Sequence, residues 1–172
     1  MLKKDTVLKS KLIYIFIFVS FFVHHSGQNK TNGITLSKNV YINYEIKEFD
    51  KTRHLIKICK KGDEKFICEI DNKIWFGSDL QIENPKNELV KLSIKINGIN
   101  TNLDVSQMFN PNFTAQLNKD QFYLKKHKNY FKLFAYFSDG AGTYTAHWKI
   151  ESGKSKRILI STEEKDFEWQ TE

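Results

Sequence analysis

Apolar and polar residues alternate along much of the chain, and this period of two restricts the fold more than any other feature. Every second residue is apolar over residues 40–47 and again over residues 90–97. Successive side chains of a β-strand point to opposite faces, so each segment predicts a strand with one buried face. Outside the first 27 residues no long stretch has a helical period, and only residues 163–170 suit a short helix. The predicted fold class is therefore all-β.

Turn motifs separate the predicted strands at short intervals. Asn97-Gly98 is the residue pair most favoured in a two-residue type I′ hairpin. Consecutive short strands joined by such turns favour antiparallel pairing between nearest neighbours in the chain. The predicted architecture is an antiparallel meander forming a small barrel or a two-layer sandwich, and both forms stay open. The other predicted strands lie at residues 55–59, 66–70, 73–76, 79–82, 99–105, 122–125, 130–137, 143–150 and 157–161.

The first 27 residues are organised like an export signal. A lysine-rich start precedes an uncharged apolar run at residues 12–23, and a polar exit ends near Gly27. A helix over this run is about 18 Å long, well short of the roughly 30 Å hydrocarbon core of a membrane. These features predict a signal peptide at residues 1–27 and a location in the periplasm or outside the cell. The cleavage pattern is incomplete, so an uncleaved N-terminal membrane anchor is the alternative.

The rest of the chain has the size and composition of one domain. The protein has 172 residues, of which 40% are hydrophobic and 27% are charged, as in an ordinary globular protein. Residues 28–38 are polar and rich in Asn, Thr, Ser and Gly, which predicts a tether. We therefore expect a single antiparallel β domain at residues 39–172.

The basic charge of the chain does not resemble a nucleic-acid footprint. The formal charge is +7; the four lysines and one aspartate of the leader contribute +3, which leaves +4 for the mature part. Only Arg53 and Arg157 are arginines, whereas nucleic-acid-binding proteins use arginine for bidentate contacts to bases and phosphates. We therefore expect no nucleic acid among the partners.

Cys59 and Cys68 are the only cysteines, and an even pair in an exported chain predicts a disulfide. A hairpin centred between Asp63 and Glu64 would place the two cysteines directly opposite each other. A shift of one residue in the register would separate them, so two reduced, buried thiols are the alternative. The spacing differs from Cys-x-x-Cys and disfavours a redox role.

The sequence contains no motif for catalysis, cofactor binding or metal binding. There is no Gly-x-Ser-x-Gly, no His-Glu-x-x-His and no phosphate-binding glycine loop. His54, His127 and His147 follow the leader, but no two of them have the spacing that a local metal site requires. We therefore predict no catalytic residue, no cofactor and no metal.

The most distinctive stretch, residues 130–148, is rich in aromatic residues on both faces of its first predicted strand. The simplest interpretation is a hairpin packed into the core. The alternative is an aromatic-lined pocket or partner surface, because Tyr and Trp bury a large area while keeping a polar group. The residues proposed for such a site are Tyr136, Tyr144, His147 and Trp148.

These features favour a non-enzymatic exported β domain that binds a partner protein or a small molecule in the cell envelope. A periplasmic immunity or inhibitor protein would fit its size. A small barrel-type ligand carrier is the runner-up, and an enzyme whose site is assembled from distant strands is the alternative from another class. Contact with a membrane is expected only through the N-terminal segment, if it is uncleaved.

Overall fold

Three antiparallel sheets make up the computed structural model, which describes residues 32–76, 82–138 and 142–171. Two of the sheets have four strands each and pack around one shared apolar core. The all-β prediction is confirmed, and the two sheets form a two-layer sandwich. The predicted leader at residues 1–27 lies outside the described residues.

The described residues contain eleven strands and three short 3₁₀ helices. The helices are Lys51–Arg53, Lys119–Gln121 and Glu164–Thr171, and the last of these, called the C-terminal helix below, confirms the short helix predicted near the end of the chain. The strands are β1 (Asn32–Ser37), β2 (Val40–Glu48), β3 (Ile56–Lys61), β4 (Glu64–Ile70), β5 (Lys73–Ile74), β6 (Asn87–Ile96), β7 (Ile99–Asn102), β8 (Phe122–Lys126), β9 (Phe131–Phe137), β10 (Tyr144–Glu151) and β11 (Lys154–Ser161).

The first sheet has the strand order β1-β2-β6-β7, and its edge strand β1 corrects the predicted tether at residues 28–38. Residues 32–37 form β1 and pair antiparallel with β2. The polar composition of this segment conceals a short alternation, since Ile34 and Leu36 both pack against the core. The ordered domain therefore begins at least seven residues before the predicted boundary at Asn39.

An insertion separates two neighbouring strands of the first sheet. Strand β2 pairs with β6 along its whole length, so residues 49–86 leave and re-enter the sheet between them. The insertion carries the third sheet, β3-β4-β5, with a small core of its own that includes Ile67, Ile70 and Trp75. The prediction of nearest-neighbour pairing is therefore wrong at β2, which pairs with β6 instead of β3. The segment 77–81, which includes most of the strand predicted at 79–82, lies outside the described residues.

The second sheet is a meander in the order β11-β10-β9-β8, as predicted for consecutive strands. Phe134 of β9 pairs with His147 of β10, so alternate residues of both strands point to opposite faces. The inner face is fully buried and carries the large side chains Leu133, Phe137, Tyr144 and Trp148. The core-packing interpretation of the aromatic stretch is therefore correct for this face.

Cys59 and Cys68 form the predicted disulfide, with their Cα atoms 5.7 Å apart. The predicted register is wrong, because Cys59 pairs with Phe66 and not with Cys68. The pairing shifts between Lys57 and Ile58, and Cys68 is the extra residue of the resulting β-bulge. The bulge brings Cys68 within bonding reach of Cys59, so the disulfide forms in a register that the sequence did not indicate.

Several predicted turns are present in the structure. Asn97-Gly98 joins β6 to β7 with φ angles of 48° and 89°, which confirms the type I′ prediction. Ser152-Gly153 joins β10 to β11 with φ angles of 50° and 74°. Most of the turn predicted at residues 139–142 lies outside the described residues. Within the described ranges, no helix has the length and apolar character that crossing a membrane requires.

Candidate functional site

A cleft of about 510 Å³ lies between the outer face of the second sheet and the C-terminal helix. We call it the helix cleft. Strands β8 to β11 supply its floor, and the C-terminal helix supplies one wall through Lys165, Asp166, Glu168 and Trp169. The cleft is therefore built from the end of the chain folded back on the sheet.

The register of the second sheet brings the floor residues onto one face. Phe134 of β9 pairs with His147 of β10, and Lys132 pairs with Lys125 of β8. These positions are an even number of residues apart on each strand, so their side chains share the face opposite to the core. Strand β11 has a β-bulge at Ile158, and for this reason Ile158 and the next residue, Leu159, both line the cleft.

Trp169 holds the C-terminal helix against the sheet. Its indole ring lies parallel to Tyr123 at 6.4 Å between ring centroids and 5.7 Å from Phe134. Its Nε1 donates a 3.2 Å hydrogen bond to the hydroxyl of Thr145, which in turn donates to the Ala135 carbonyl. Trp169 is 7% exposed, so these contacts fold the end of the chain back on the domain.

His147 is a buried polar group of the cleft floor, and His127, which also lines the cleft, likewise has a buried Nε2 without a partner among the described residues. His147 is 6% exposed and packs edge to face on Phe134, with 4.6 Å between ring centroids. Burial, followed by the charge of Lys132, lowers the pKa of His147 from 6.5 to about 4. The ring is therefore neutral near pH 7.

The two ring nitrogens of His147 have different surroundings. Nε2 is buried and has no hydrogen-bond partner among the described residues. The backbone and the carboxylate of Asp166 act on the pKa of His147 in the opposite direction to burial and Lys132, because both favour the protonated ring. In a neutral imidazole one nitrogen carries the proton and the other a lone pair, so Nε2 can make one hydrogen bond with a ligand. An unsatisfied buried nitrogen of this kind costs about 1–3 kcal/mol unless a partner occupies the site.

The charged residues of the cleft are mostly cationic. Lys125, Lys132 and Lys165 line it, against the carboxylates of Asp166 and Glu168. The ammonium of Lys132 lies 4.4 Å from the centroid of the Phe134 ring, a cation–π contact that holds the charge over the floor. An anion entering the cleft would meet more positive than negative groups.

The structure separates the four residues that the sequence suggested for a binding site. His147 lines the helix cleft, and Tyr136 lies on the same outer face, 6.3 Å from Trp169. Tyr144 and Trp148 point into the core with 0% exposure. Tyr144 donates a hydrogen bond to the Phe109 carbonyl and Trp148 donates one to the Asp104 carbonyl, so their polar groups are used inside the protein.

The lysines and Asp166 of the cleft were not among the residues that the sequence suggested. Lys125 and Lys132 occupy the outer face of strands whose aromatic residues dominated the pattern. Asp166 and Lys165 come from a tail whose position depends on Trp169. The alternation contained a signal for the two sheet lysines, because they share the face of Phe134, but it did not indicate that the tail would cover that face.

A second cleft of about 330 Å³ lies between the insertion and β6, around His54. His54 Nδ1 is 2.7 Å from Asp71 Oδ2, and its Nε2 is 3.3 Å from Glu88 Oε2. Phe49 stacks on the same ring at 4.7 Å. Both nitrogens of His54 thus have partners within the protein, and the group ties the insertion to the sandwich. Across the described ranges, no cluster of three or more His, Cys, Asp or Glu residues is arranged to hold a metal ion.

Comparison with known proteins gives no relative for this chain. No family model, no curated protein and no solved structure matches it. The side chains of the helix cleft and their chemistry are therefore the basis for a functional proposal.

Proposed function

We propose that this protein is an exported, non-enzymatic binding protein that holds a small organic anion in the helix cleft. The observation that carries the proposal is the buried, unpartnered Nε2 of His147 at the floor of a cleft lined by three lysines. Buried polar groups in native proteins are almost always paired, so an unpaired one at the floor of a cleft supports the binding of a polar ligand there.

The chemistry of the cleft defines the class of ligand. Lys125, Lys132 and Lys165 favour a carboxylate or another small anionic group. Phe134 and Trp169 provide an aromatic surface for an apolar or planar part of the ligand. The unpartnered Nε2 of His147 would make a hydrogen bond with a polar group of the ligand, such as a hydroxyl, which can both donate and accept. The ligand is thus a small acid that carries at least one further hydrogen-bonding group.

Two observations support export. The disulfide between Cys59 and Cys68 is of the kind that persists in oxidising compartments. The N-terminal 27 residues have the order of charged, apolar and polar regions found in export signals. We propose the periplasm or the extracellular space as the location, with an uncleaved N-terminal anchor as the alternative.

Saturation-transfer NMR with the mature protein tests the binding function. The probes are benzoate, salicylate, lactate, gluconate, glucuronate and uridine monophosphate, with matched neutral amides or alcohols for comparison. We expect at least one hydroxylated acid to bind and its neutral counterpart not to bind. Trp169 fluorescence should respond to the same compound, because the indole forms one wall of the cleft.

Three substitutions locate the binding. Lys132→Met and His147→Asn should each weaken binding by about tenfold, the effect of losing one charged or buried polar contact. Lys156→Met is the matched control, since Lys156 pairs with Lys149 on the same outer face but does not line the cleft. Equal affinity in all three variants, or no binding by any probe, would contradict the proposal. Thermal melts of each variant show whether a loss of binding reflects a loss of fold.

A further inference from the structure

Four turns of the sandwich meet at one end of the molecule, which we call the loop end. They are Lys38-Asn39 between β1 and β2, Asn97-Gly98, the loop 127–130 between β8 and β9, and Ser152-Gly153. The backbone N–H of Asn97 donates to the Asn39 carbonyl at 3.0 Å, which joins the turns of the first sheet. A Cβ added to Gly153 would lie 3.3 Å from Cγ2 of Ile99, so a turn of the second sheet touches the first. The two layers thus present one continuous surface of turns.

A largely apolar cavity of about 140 Å³ opens at the loop end among three of these turns, which contribute Asn97, Asn129 and Ser152. Ile96, Ile99, Tyr130, Phe131 and Ile150 contribute its apolar walls. Ile99 is 59% exposed, so the wall extends to the surface. An apolar cavity of about 150 Å³ holds a benzene molecule. The cavity at the loop end therefore has room for one large apolar side chain.

The loop end also carries four exposed lysines. Lys38, Lys126, Lys128 and Lys154 lie within the turns or directly beside them. Among the residues of the four turns and their immediate neighbours, Glu151 is the acidic one, and it forms an ion pair with Lys149 at 2.7 Å. The acidic tail, with Glu163 and Glu164, follows Ser161 at the opposite end of β11. Within the four turns and their immediate neighbours, lysines thus outnumber acidic residues by four to one.

From this arrangement we infer that the loop end is the docking surface for an acidic partner protein, which inserts one apolar side chain into the cavity and surrounds it with carboxylates. An apolar anchor enclosed by a polar rim is the usual organisation of a protein interface. Rim lysines would attract an acidic surface and accelerate the encounter. This inference does not rest on the helix cleft, which lies on the outer face of the second sheet and shares His127 with the loop end.

The use of lysine instead of arginine at the loop end, and the small apolar area of the cavity, favour a protein over other anionic partners. Neither of the two arginines lies in the turns of the loop end, whereas nucleic-acid recognition relies on arginine. A membrane-binding surface needs several apolar side chains that reach into the lipid. At the loop end, Ile99 is the strongly exposed large aliphatic residue, and the cavity fits a single inserted side chain.

Selection from a random peptide library displayed on phage tests the inference with the oxidised, full-length mature protein. We expect the enriched peptides to share one large apolar residue flanked by Asp and Glu. A synthetic peptide of that pattern is then compared with a version in which the apolar residue is alanine and with one in which the acids are amides. Vesicles containing an anionic phospholipid and a DNA duplex are the alternative probes.

Two variants separate the rim from the anchor cavity. The triple variant K126E/K128E/K154E should lower the association rate of the peptide by about tenfold, and added salt should lower the wild-type rate in the same way. Ile99→Asp should mainly raise the dissociation rate, because it places a carboxylate at the cavity wall. The matched control K60E/K61E/K65E makes the same charge change at the tip of the β3–β4 hairpin and should keep the rate within about twofold.

Three outcomes of these experiments would overturn the inference. Equal slowing by the two triple variants would show a net-charge effect without a docking surface and would overturn the inference. Enrichment of peptides without acidic residues, or no enrichment, would overturn it as well, as would binding to vesicles or DNA in the absence of peptide binding. The variants should melt at the same temperature as the wild type, which would confirm that the substitutions change the loop end and not the fold.

Discussion

His147 shows how burial sets the protonation state of one side chain. Its pKa of about 4 in the folded protein lies below the ordinary 6.5, so the folded protein excludes a proton that the unfolded chain takes up between these values. The contribution of neutral, buried His147 to the free energy of unfolding is complete above pH 6.5. It is lost as the pH falls toward 4, because the unfolded chain then binds a proton that the folded protein excludes. We expect the free energy of unfolding to fall by about 2 kcal/mol between pH 7 and pH 5 on account of this residue.

Urea unfolding of the wild type and of His147→Asn at both pH values measures this contribution. Asparagine keeps a polar side chain at this position but does not titrate in this range. The variant should therefore lose that part of the pH dependence, while the carboxylates titrate equally in both proteins. A directly measured pKa near 6.5 for His147 in the folded wild type would contradict the burial argument.

Trp148 is the largest fully buried side chain of the described residues. It contacts Phe137 edge to face at 6.4 Å between ring centroids, and its Nε1 donates to the Asp104 carbonyl at 3.0 Å. Trp148→Ala removes both contacts and leaves a cavity, so the free energy of unfolding should fall by about 3–5 kcal/mol. Phe113→Ala, at a residue 48% exposed, should change it by at most about 0.5 kcal/mol. Equal melting temperatures for Trp148→Ala and the wild type would contradict the assignment of Trp148 to the core.

The β3–β4 hairpin depends on its disulfide more than the sandwich strands do. The insertion core is small, and the disulfide closes a loop across a β-bulge. Replacing both cysteines with serine should destabilise the hairpin by about 2–3 kcal/mol, because the unfolded segment regains freedom. We expect hydrogen exchange to accelerate at the amides of β3 and β4 and to stay slow in β9 and β10.

The control for this prediction is the oxidised protein itself, in which mass analysis under non-reducing conditions should find no free thiol. Equal loss of protection in β9 and β10 would mean that the insertion and the sandwich unfold as one unit. Unchanged protection in β3 and β4 would mean that the hairpin does not need the bond.

Export is a property of the whole chain, and its prediction rests on the leader. We expect terminal sequencing of exported material to find a first residue between Ser26 and Lys30, since the polar exit follows the apolar run there. An intact Met1 in the membrane fraction would support the uncleaved anchor instead.

Local patterns in the sequence were sufficient for most of the described strands, several turns and the fold class. Strand alternation and the Asn97-Gly98 pair depend on steric rules that act over a few residues, so the sequence carries them directly. The same reasoning missed β1, because the two apolar residues Ile34 and Leu36 stand among polar neighbours. It also missed the register at Cys68, because a bulge inserts one residue without a distinct sequence signature.

Long-range contacts decided the pairing of strands and the location of the candidate site. Strand β2 pairs with β6 across the insertion, a choice made by shared burial and not by distance along the chain. The helix cleft exists because Trp169 packs on Tyr123 and Phe134, which brings Asp166 and Lys165 to His147. Alternation divides a strand into two faces, but it does not say which face another segment will cover. That depends on the summed packing free energy of residues far apart in sequence, and this sum is available only in the folded chain.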